Sequence, residues 1–515
     1  MSQTNNSFYI TTPIYYVNDT PHIGHAYTTL ACDVLARFAR LDGKDVRFAT
    51  GTDEHGQKVQ KSAELAGIDP QTFTDKVSKN FRDLADTLNF SYDDFIRTTE
   101  LRHQKACQTL WQKLKSNDQI YLDSYKGWYA IRDEAFYDES ELRLNAEGKK
   151  IAPSGAEVQW LEEPSYFFKL SNWQKPLLDF YKENPDFIAP TSRRNEVIKF
   201  VEKGLQDLSI SRVTFKWGIP VPDDQQHIMY VWLDALTNYL TVAGYPEIKN
   251  PDFKKFWPAT LHMIGKDILR FHAVYWPAFL MAAQLPLPKR VFAHGWWTNE
   301  GEKISKSLGN VINPFNLVEK YGLDQTRYFL LREVPFGNDG DFSHQAILNR
   351  SNSELANDLG NLAQRVLSII NKNCNGVVPE CEQKLESDND LLNLSEQLLN
   401  NVRKELLINQ AFHKSLESIF AVVGAANRYV DTQAPWNLRK NDLNRFHTVL
   451  YTLVEVIRRL GIIIQPFIPQ SANLLLDQVG QEKNERNFNF FHIPIKSGII
   501  LPKPMPIFPK ILLEE

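Results

Sequence analysis

Two histidines near the start of the chain have the residue type and spacing needed to bind phosphate groups. His22 and His25 lie three positions apart at the predicted start of a helix, so both imidazoles share one helix face. A helix N-terminus attracts phosphate through its free N–H groups and its dipole. Gly24 leaves room for a flat ring such as adenine. Taken alone, the two histidines are also explained as surface residues that cap a helix.

Two further segments place charged side chains where a ligand could use them. Residues 303–307 read Lys-Ile-Ser-Lys-Ser between glycines, and Lys303 and Lys306 could offset the charge that develops when a phosphoryl or adenylyl group is transferred. A solvated basic loop is the alternative for this segment alone. Asp53 follows a predicted buried strand at its carboxyl end, where the ligand sites of parallel α/β sheets cluster.

Strand and helix signals alternate around these residues. Phe8–Ile14 and Asp45–Ala49 predict buried strands, and the helical spacing of apolar residues from Ile23 to Phe38 predicts a helix between them. Further α/β signals follow after residue 227: Ile228–Leu233, Leu261–Ile264, Phe271–Met281 and Arg290–His294. This order predicts a doubly wound, Rossmann-type parallel sheet of the α/β class.

The remaining segments differ in character. Residues 119–216 alternate short aromatic, strand-like pieces with charged turns and are predicted to be an insertion. Helical spacing continues through residues 355–370, Leu406–Tyr429 and Phe446–Ile464, which predicts an all-α helical bundle. The tail has no helical period and is predicted to run extended.

These patterns predict six regions along the chain. They are the first half of the Rossmann catalytic domain (1–118), a connective insertion (119–216), the second half of the catalytic domain (217–288), a stem-contact region with the lysine loop (289–345), the α-helical domain (346–490) and an extended tail (491–515).

Composition limits the classes of protein that this chain can belong to. Its 515 residues carry a net charge of −4, which argues against a bulk electrostatic grip on nucleic acid. Four scattered cysteines are too few for a disulfide framework. No apolar run is long enough for a transmembrane helix, and Met1–Ser7 lacks the features of a signal or transit peptide. We therefore expect a cytoplasmic protein without a membrane partner; a mature organellar form stays open.

The paired histidine and lysine motifs resemble the signatures of class I aminoacyl-tRNA synthetases. Longer segments are similar to the methionyl-tRNA synthetase family: 12–18 (Thr-Pro-Ile-Tyr-Tyr-Val-Asn), 51–56 (Gly-Thr-Asp-Glu-His-Gly), 230–235 (Tyr-Val-Trp-Leu-Asp-Ala) and 265–268 (Gly-Lys-Asp-Ile). The resemblance implies a methionine–tRNA ligase. Such an enzyme activates L-methionine with ATP and Mg²⁺ and charges the 3′-terminal ribose of tRNA(Met), including the initiator, for protein biosynthesis.

The resemblance also implies roles for individual residues. The expected catalytic residues are His22, His25, Lys303 and Lys306. The expected ATP-binding residues are His22, Gly24, His25, Lys303, Ser305, Lys306 and Ser307. The expected methionine-binding residues are Ile14, Tyr16, Asp53, Trp232, Ala235, Tyr239, Phe271 and His272, with Asp53 pairing with the substrate ammonium. Aromatic side chains suit a soft thioether, although ordinary core packing would explain any one ring.

Three residues of the bundle suit recognition of unpaired bases. Asn361 and Arg365 are four apart and share a helix face, and Trp436 follows Pro435, which predicts an exposed ring able to stack on a base. A polar surface pair and a packed Trp are the alternative. The resemblance assigns these residues to the tRNA anticodon. Because no oligonucleotide-binding dimerisation domain follows the bundle, a monomer is expected.

The insertion lacks the residues of a metal site that many relatives carry there. Ala130 and Asp133 stand where the first cysteine pair of a zinc knuckle would be, and residues 152–155 have no cysteine either. Zinc needs about four soft or borderline ligands. We therefore predict a form without zinc.

Two other kinds of protein remain as alternatives. One is a class I synthetase for isoleucine, valine, leucine or cysteine. The first three carry a larger editing insertion, and the last would be expected to hold catalytic zinc through Cys and His ligands. The other is an inactive synthetase-like protein that only binds RNA, against which the intact histidine and lysine motifs argue.

Overall fold

The computed structural model describes residues 6–17, 20–133, 135–137, 139–304 and 310–512, with the backbone alone for residues 125, 135, 136, 231 and 303. The chain packs as two compact units. The first comprises the described residues of Met1–Pro21, Arg47–Asp86 and Tyr92–His294. The second comprises those of His22–Val46, Thr87–Ser91 and Gly295–Glu515.

Short strands and helices alternate over the first part of the chain: β1 (Ser7–Thr11), β2 (Tyr15–Tyr16), α1 (Ile23–Leu41), β3 (Asp45–Asp53), α2 (Gln57–Leu65), α3 (Pro70–Thr87), β4 (Asp94–Arg97), α4 (Leu101–Ser116), β5 (Ile120–Ala130), β6 (Ala135–Tyr137), β7 (Arg143–Leu144), β8 (Lys150–Ile151), β9 (Gln159–Phe168), α5 (Gln174–Glu183), β10 (Ile188–Ala189), α6 (Thr191–Glu202), β11 (Leu208–Ser209), β12 (Ser211–Arg212), β13 (Pro220–Val221), β14 (Asp224–Met229), α7 (Val231–Ala243), α8 (Pro251–Phe256), β15 (Leu261–Gly265), α9 (Trp276–Ala282) and β16 (Val291–His294). Helices then dominate: β17 (Trp297–Asn299), β18 (Glu302–Lys303), α10 (Pro314–Tyr321), α11 (Leu323–Arg332), β19 (Gly340–Phe342), α12 (His344–Arg350), α13 (Asn361–Asn373), α14 (Glu386–Glu396), α15 (Leu398–Arg403), α16 (Phe412–Gln433), α17 (Pro435–Asn441), α18 (Leu443–Ile464) and α19 (Pro469–Gln478).

The first unit is built on a seven-stranded sheet in the order β10-β16-β15-β1-β3-β2, with β4 also paired to β3. The pairs β1–β15, β15–β16, β10–β16, β2–β3 and β3–β4 are parallel, which confirms the predicted α/β class. β3 and β4 approach closely at Gly51, where a Cβ atom would lie 1.9 Å from the Ile96 carbonyl oxygen. Only glycine permits this pairing.

The insertion folds as an antiparallel sheet in the order β11-β9-β5-β6. Its centre is the long hairpin of β5 and β9, in register from Ile120 opposite Phe168 to Tyr129 opposite Gln159. The two residues of β10, which fall in the same stretch of sequence, pair with β16 in the parallel sheet instead. The insertion therefore combines its own sheet with a strand of the main one.

The second unit is largely helical, and α18 runs through its core as a 22-residue helix that is buried from Thr448 to its end. A buried ion pair joins α1 to α11, with Asp33 Oδ2 2.7 Å from the Arg327 guanidinium. Arg327 also donates to the carbonyl oxygens of Pro466 and Phe467 beyond α18, at 2.9 and 3.0 Å. The helical C-terminal domain predicted from the sequence is thus confirmed, and α1 is anchored to it.

Four predicted elements differ in their bounds. β1 ends at Thr11 because Pro13 has no N–H for a ladder. The strand predicted over Asp45–Ala49 continues to Asp53 as β3. The apolar run 228–233 is divided between β14 and α7, because a short apolar run does not distinguish a strand from a buried helix. The helix predicted from residue 406 is interrupted near Gln410, whose φ is +50°, and α16 begins at Phe412.

Candidate functional site

The predicted phosphate-binding histidines form a reciprocal cap at the start of α1. Nδ1 of His22 accepts from the Gly24 backbone N–H at 3.1 Å, and Nδ1 of His25 accepts from the His22 backbone N–H at 3.1 Å. Neutral rings that accept at Nδ1 carry their proton on Nε2. Burial, and then the neighbouring His22, lower the pKa of His25 well below its usual value. The pair therefore offers neutral N–H donors.

Gly24 is required by the packing of this cap. The two imidazole rings lie 3.9 Å apart, and a Cβ atom on residue 24 would lie 2.9 Å from Cε1 of His22. A side chain there would push the ring of His22 away from its capping position. The glycine thus serves the packing of the histidine pair, and the room for a flat ring at this position stays a prediction.

The lysine loop is anchored beside this cap, within the second unit. On its N-terminal side, β18 pairs with β17, with Thr298 opposite Lys303. On its C-terminal side, the Ile312 carbonyl accepts from the Ile23 backbone N–H at 3.2 Å. The structure therefore brings the C-terminal side of the loop to the first turn of α1. The predicted residues Ser305, Lys306 and Ser307 lie outside the described residues, as does the side chain of Lys303.

In the first unit, two aromatic pairs bring together four of the residues predicted for methionine. The rings of Trp232 and Phe271 stack at 3.4 Å with an interplanar angle of 9°. The Tyr239 hydroxyl lies 2.6 Å from Nε2 of His272. Because Nδ1 of His272 lies 3.0 Å from the Ile268 carbonyl, Nδ1 donates and Nε2 accepts from the tyrosine. Burial lowers the pKa of His272 to about 4, against the Ile268 bond and the Asp267 charge. We call these four residues the aromatic cluster.

The other predicted methionine residues lie in the same unit. Ala235 is buried in α7, one turn before Tyr239, and Ile14 packs against the same core. Asp53 is the buried last residue of β3, and the parallel pairing of β2 with β3 places Tyr16 opposite it. A buried carboxylate at the end of a central strand, beside an aromatic ring, can bind an ammonium group by charge and hydrogen bond.

The predicted RNA-reading residues lie on helices of the second unit. Asn361 and Arg365 are both exposed on α13, and Arg365 pairs with Asp431 of α16 at 2.7 Å. α16 ends at Gln433, and Trp436 lies in the first turn of α17 with 48% of its surface exposed. An exposed indole ring that follows a helix break is available for stacking on a base.

The stretch that would carry zinc has an apolar centre. Three buried alanines form it: Ala130, Ala152 and Ala156. Beside them, the Asp133 carboxylate accepts from the Tyr137 hydroxyl at 2.9 Å and from the Ser154 hydroxyl, and Arg132 donates to the Ser154 carbonyl at 2.6 Å. Hydrogen bonds to one carboxylate thus join the segments that a metal would otherwise hold together.

Comparison with known families covers both units. The family described as tRNA synthetases class I (M) matches residues 8–367, and the anticodon binding domain of methionyl tRNA ligase matches residues 378–515. The chain belongs to the methionyl-tRNA synthetases of class I. Its activity is that of a methionine–tRNA ligase.

Individual relatives agree over almost the whole length. The methionine–tRNA ligase of Brucella melitensis is 57% identical over 504 residues, covering 98% of each chain. That of Rickettsia bellii is 54% identical over 510 residues, covering 98% of this chain and 99% of the relative. The Mycobacterium tuberculosis methionyl-tRNA synthetase in complex with methionyl-adenylate superposes with a TM-score of 0.96 at 51% identity, covering 98% of this chain and 99% of the relative.

One ionic network of this synthetase was missed by the sequence analysis. Glu54, next to Asp53, is fully buried, and its carboxylate accepts from the Arg97 guanidinium at 2.6 and 2.9 Å. The hydroxyls of Thr52 and Thr99 donate to it at 2.7 and 2.6 Å. The network fixes the backbone that carries Asp53. The position of Glu54, an acidic residue directly after a buried strand, could have been recognised in the sequence. Its partner Arg97, 43 positions away, could not.

Proposed function

We propose that the residues described above divide the activation of methionine between them, the histidine cap and lysine loop binding ATP and the aromatic cluster with Asp53 binding the amino acid. The observation that carries this assignment is the hydrogen bond from the Ile23 N–H to the Ile312 carbonyl, because it joins the first turn of α1 to the chain on the C-terminal side of the lysine loop.

On the ATP side, the Nε2–H groups of His22 and His25 donate to phosphate oxygens, together with the positive end of α1. Lys303 and Lys306 offset the charge of the pyrophosphate as it leaves, and Ser305 and Ser307 donate hydrogen bonds to it. Mg²⁺, bound with ATP, supplies further neutralisation of the phosphates. Because the imidazoles are neutral, the lysines are the cationic groups of this chain that meet the developing charge.

On the methionine side, Asp53 pairs with the substrate ammonium, and the aromatic cluster, with Ala235, Ile14 and Tyr16, receives the thioether. The methionine carboxylate attacks the α-phosphorus, forming methionyl-adenylate and releasing pyrophosphate. No general base is needed, because the carboxylate is already ionised at neutral pH. The Mycobacterium relative was solved with methionyl-adenylate, which supports the same intermediate here. The terminal ribose 2′-hydroxyl of the tRNA then attacks the adenylate and releases AMP.

The RNA partner of this reaction is tRNA(Met), including the initiator tRNA. We assign anticodon recognition to Asn361, Arg365 and Trp436. The exposure of the Trp436 ring and the match of the anticodon-binding family support this assignment. We further infer a monomeric, cytoplasmic enzyme. Among the helices that the structure describes, none combines the length and apolar character of a bilayer span.

We infer that the insertion is held together without zinc. The residues present do not fit the metal: alanines occupy the buried centre, and Asp133 is already bonded to Tyr137 and Ser154. In the described part of the chain, one group of three possible metal ligands comes together, and it lies outside residues 119–216. No step of the reaction is assigned to a structural metal.

Amino-acid-dependent exchange of pyrophosphate into ATP tests the assignment as a whole. Exchange with methionine, and none with isoleucine, valine, leucine or cysteine, is expected. The variant Asp53→Asn removes the charge that meets the ammonium, so the KM for methionine should rise by tenfold or more while the KM for ATP stays unchanged. Asp252, an exposed residue of the same unit, is the matched control as Asp252→Asn. Equal effects of the two changes would overturn the assignment of Asp53.

A further inference from the structure

A buried cluster of ionisable side chains lies outside the residues assigned above. Oδ2 of Asp234 lies 2.6 Å from Nδ1 of His55, and its Oδ1 lies 2.8 Å from Nε2 of His103. Cys107 completes the cluster, with its Sγ 3.3 Å from Nε2 of His103. All four side chains are buried and belong to the first unit. The reaction as assigned above uses none of them.

Asp234 stands in the middle of residues that the reaction does use. It lies in the first turn of α7, between Trp232 and Ala235, so its position and theirs are set by the same backbone. His55 lies two residues beyond Asp53, on the segment that leaves β3. The hydrogen bond between His55 and Asp234 therefore ties the segment that carries the ammonium-binding carboxylate to the helix that carries the aromatic residues.

His103 adds a second connection, from α4 to α7. Besides its bond to Asp234, it places Nδ1 3.0 Å from the Thr241 hydroxyl, which lies two turns further along α7. These two contacts fix the position of α7 along its axis and its rotation about that axis. Because α4 belongs to the core of the unit, α7 is held against a rigid support.

The charge state of the cluster follows from its geometry. Burial raises the pKa of Asp234, but the neighbouring His55 and the hydrogen bonds of both histidines outweigh it and hold the pKa below its usual value. The carboxylate is therefore ionised and accepts from both rings. Burial raises the pKa of Cys107 well above its usual value, so the thiol stays protonated.

We propose that Asp234, held by His55 and His103, is a positioning residue for methionine, which sets Trp232 and Ala235 against the segment of Asp53. The proposal rests on the assignment of the aromatic cluster to methionine. Asp234 touches no reacting atom and acts through the side chains on either side of it.

A metal ion bound by His103, Cys107 and Asp234 is the rival explanation of the same cluster. The ligand atoms all lie within 4.8 Å of one another, as a metal site requires. However, His103 and Asp234 already bond each other directly, and Nδ1 of His103 bonds the Thr241 hydroxyl. The cluster is satisfied as a hydrogen-bonded network, so the metal becomes an outcome of the test.

The geometry allows variants that keep or remove one donor nitrogen at a time. An Asn side chain places its amide nitrogen near the position of a histidine Nδ1, and a Gln places it near Nε2. His55 uses Nδ1 and His103 uses Nε2. We therefore expect His55→Asn and His103→Gln to stay close to the unchanged enzyme. His55→Gln, His103→Asn and Asp234→Asn should be impaired.

The impairment should concern methionine and not ATP. In pyrophosphate exchange, the KM for methionine should rise about tenfold in the impaired variants, since one charge-assisted hydrogen bond is lost, while the KM for ATP stays unchanged. The preference in kcat/KM for methionine over homocysteine should fall, because a displaced Trp232 no longer distinguishes the terminal methyl group. Asp252→Asn, on the exposed surface of the same unit, serves as the control.

Three results would overturn the proposal. One is a parallel rise of both KM values with unchanged selectivity, which indicates a general loss of packing. Another is equal behaviour of Asn and Gln at residue 55 and at residue 103. The third is a stoichiometric metal ion that is lost in Cys107→Ser. If the unchanged enzyme exchanges pyrophosphate without methionine, the assignment of the aromatic cluster fails, whatever the Asp234 variants do. A failure of that assignment is thereby distinguished from a failure of the positioning role of Asp234.

Discussion

The Tyr239 hydroxyl donates to Nε2 of His272 at 2.6 Å, and His272 donates through Nδ1 to the Ile268 carbonyl at 3.0 Å. This chain of hydrogen bonds requires a neutral imidazole. A protonated ring would turn Nε2 into a donor and break the bond from the tyrosine. The protonation state of His272 is thus linked to the position of Tyr239. The ring centroid of Tyr239 also lies 4.1 Å from that of His262.

The pH dependence of stability should report this buried histidine. The pKa of His272 falls from 6.5 to about 4 on folding. Between these values the unfolded chain binds more protons than the folded one, so stability rises with pH and is lost as pH falls from about 6.5 towards 4. The loss amounts to roughly 3 kcal/mol at most for this residue. The free energy of unfolding, measured with urea at each pH from 4 to 7, should change less steeply with pH for His272→Gln than for the control His492→Gln. His492 is exposed. Identical slopes would contradict this reading.

The histidine cap predicts that two substitutions of His25 differ in their effect on stability but not in their effect on catalysis. His25→Asn keeps an acceptor for the His22 backbone N–H but removes the Nε2–H donor, whereas His25→Ala removes both. Both variants should lose about 10²- to 10³-fold in the rate of pyrophosphate exchange. Only His25→Ala should also lose about 1 kcal/mol of stability, as a lost helix cap does. Exchange kinetics beside thermal unfolding measure both effects. Full exchange activity in His25→Asn would remove the histidine from the assigned chemistry.

The lysine loop predicts a loss of catalysis without a loss of methionine binding. Lys306→Ala should retain the affinity for methionine and lose most pyrophosphate exchange, because the charge of the leaving pyrophosphate is no longer offset. Equilibrium binding of methionine and exchange kinetics together separate the two. Lys320→Ala, at an exposed position in the last turn of α10, is the control. Near-normal exchange in Lys306→Ala would refute the assignment of the loop.

Sequence patterns predicted the fold well in segments where the apolar residues follow a single period. α1 begins at Ile23 as predicted, because apolar residues repeat along one face, and the parallel class followed from the order of strands and helices. The run at 228–233 was recognised only as an α/β signal and was not divided, because the change from β14 to α7 falls inside one apolar stretch. Position in sequence also gave no hint that β10 joins the parallel sheet.

Sequence patterns named the candidate residues one by one, but they did not predict the contacts that support those residues. Trp232 and Phe271 were both named from the sequence, yet their stacking was not foreseen. The same holds for the bond between His55 and Asp234, which are 179 positions apart. Such pairs follow from tertiary packing, and a single sequence contains no signal for them.

The exposed indole of Trp436 predicts a loss confined to the tRNA-dependent step. Trp436→Ala should reduce charging of tRNA(Met) strongly, because stacking on a base contributes about 1–3 kcal/mol, and leave pyrophosphate exchange intact. Aminoacylation and exchange assays on the same preparation provide the measurement. Leu443→Ala removes an exposed apolar side chain from the same bundle and should affect neither assay. Equal losses in both assays would instead indicate a folding defect.

The carboxylate of Asp133 predicts how the insertion is stabilised without a metal. Asp133→Ala leaves the hydroxyls of Tyr137 and Ser154 without their acceptor, which should destabilise the insertion by about 0.5–1.5 kcal/mol. Hydrogen exchange, followed by mass spectrometry, should show faster exchange in residues 120–168 and unchanged exchange in the α-helical bundle. Asp123→Ala, at an exposed position of β5, is the control. Elemental analysis of the unchanged protein should give no stoichiometric zinc, and a chelator should leave its exchange pattern unchanged. Zinc in the preparation, with a chelator loosening the same residues, would show that a metal rather than Asp133 holds the insertion.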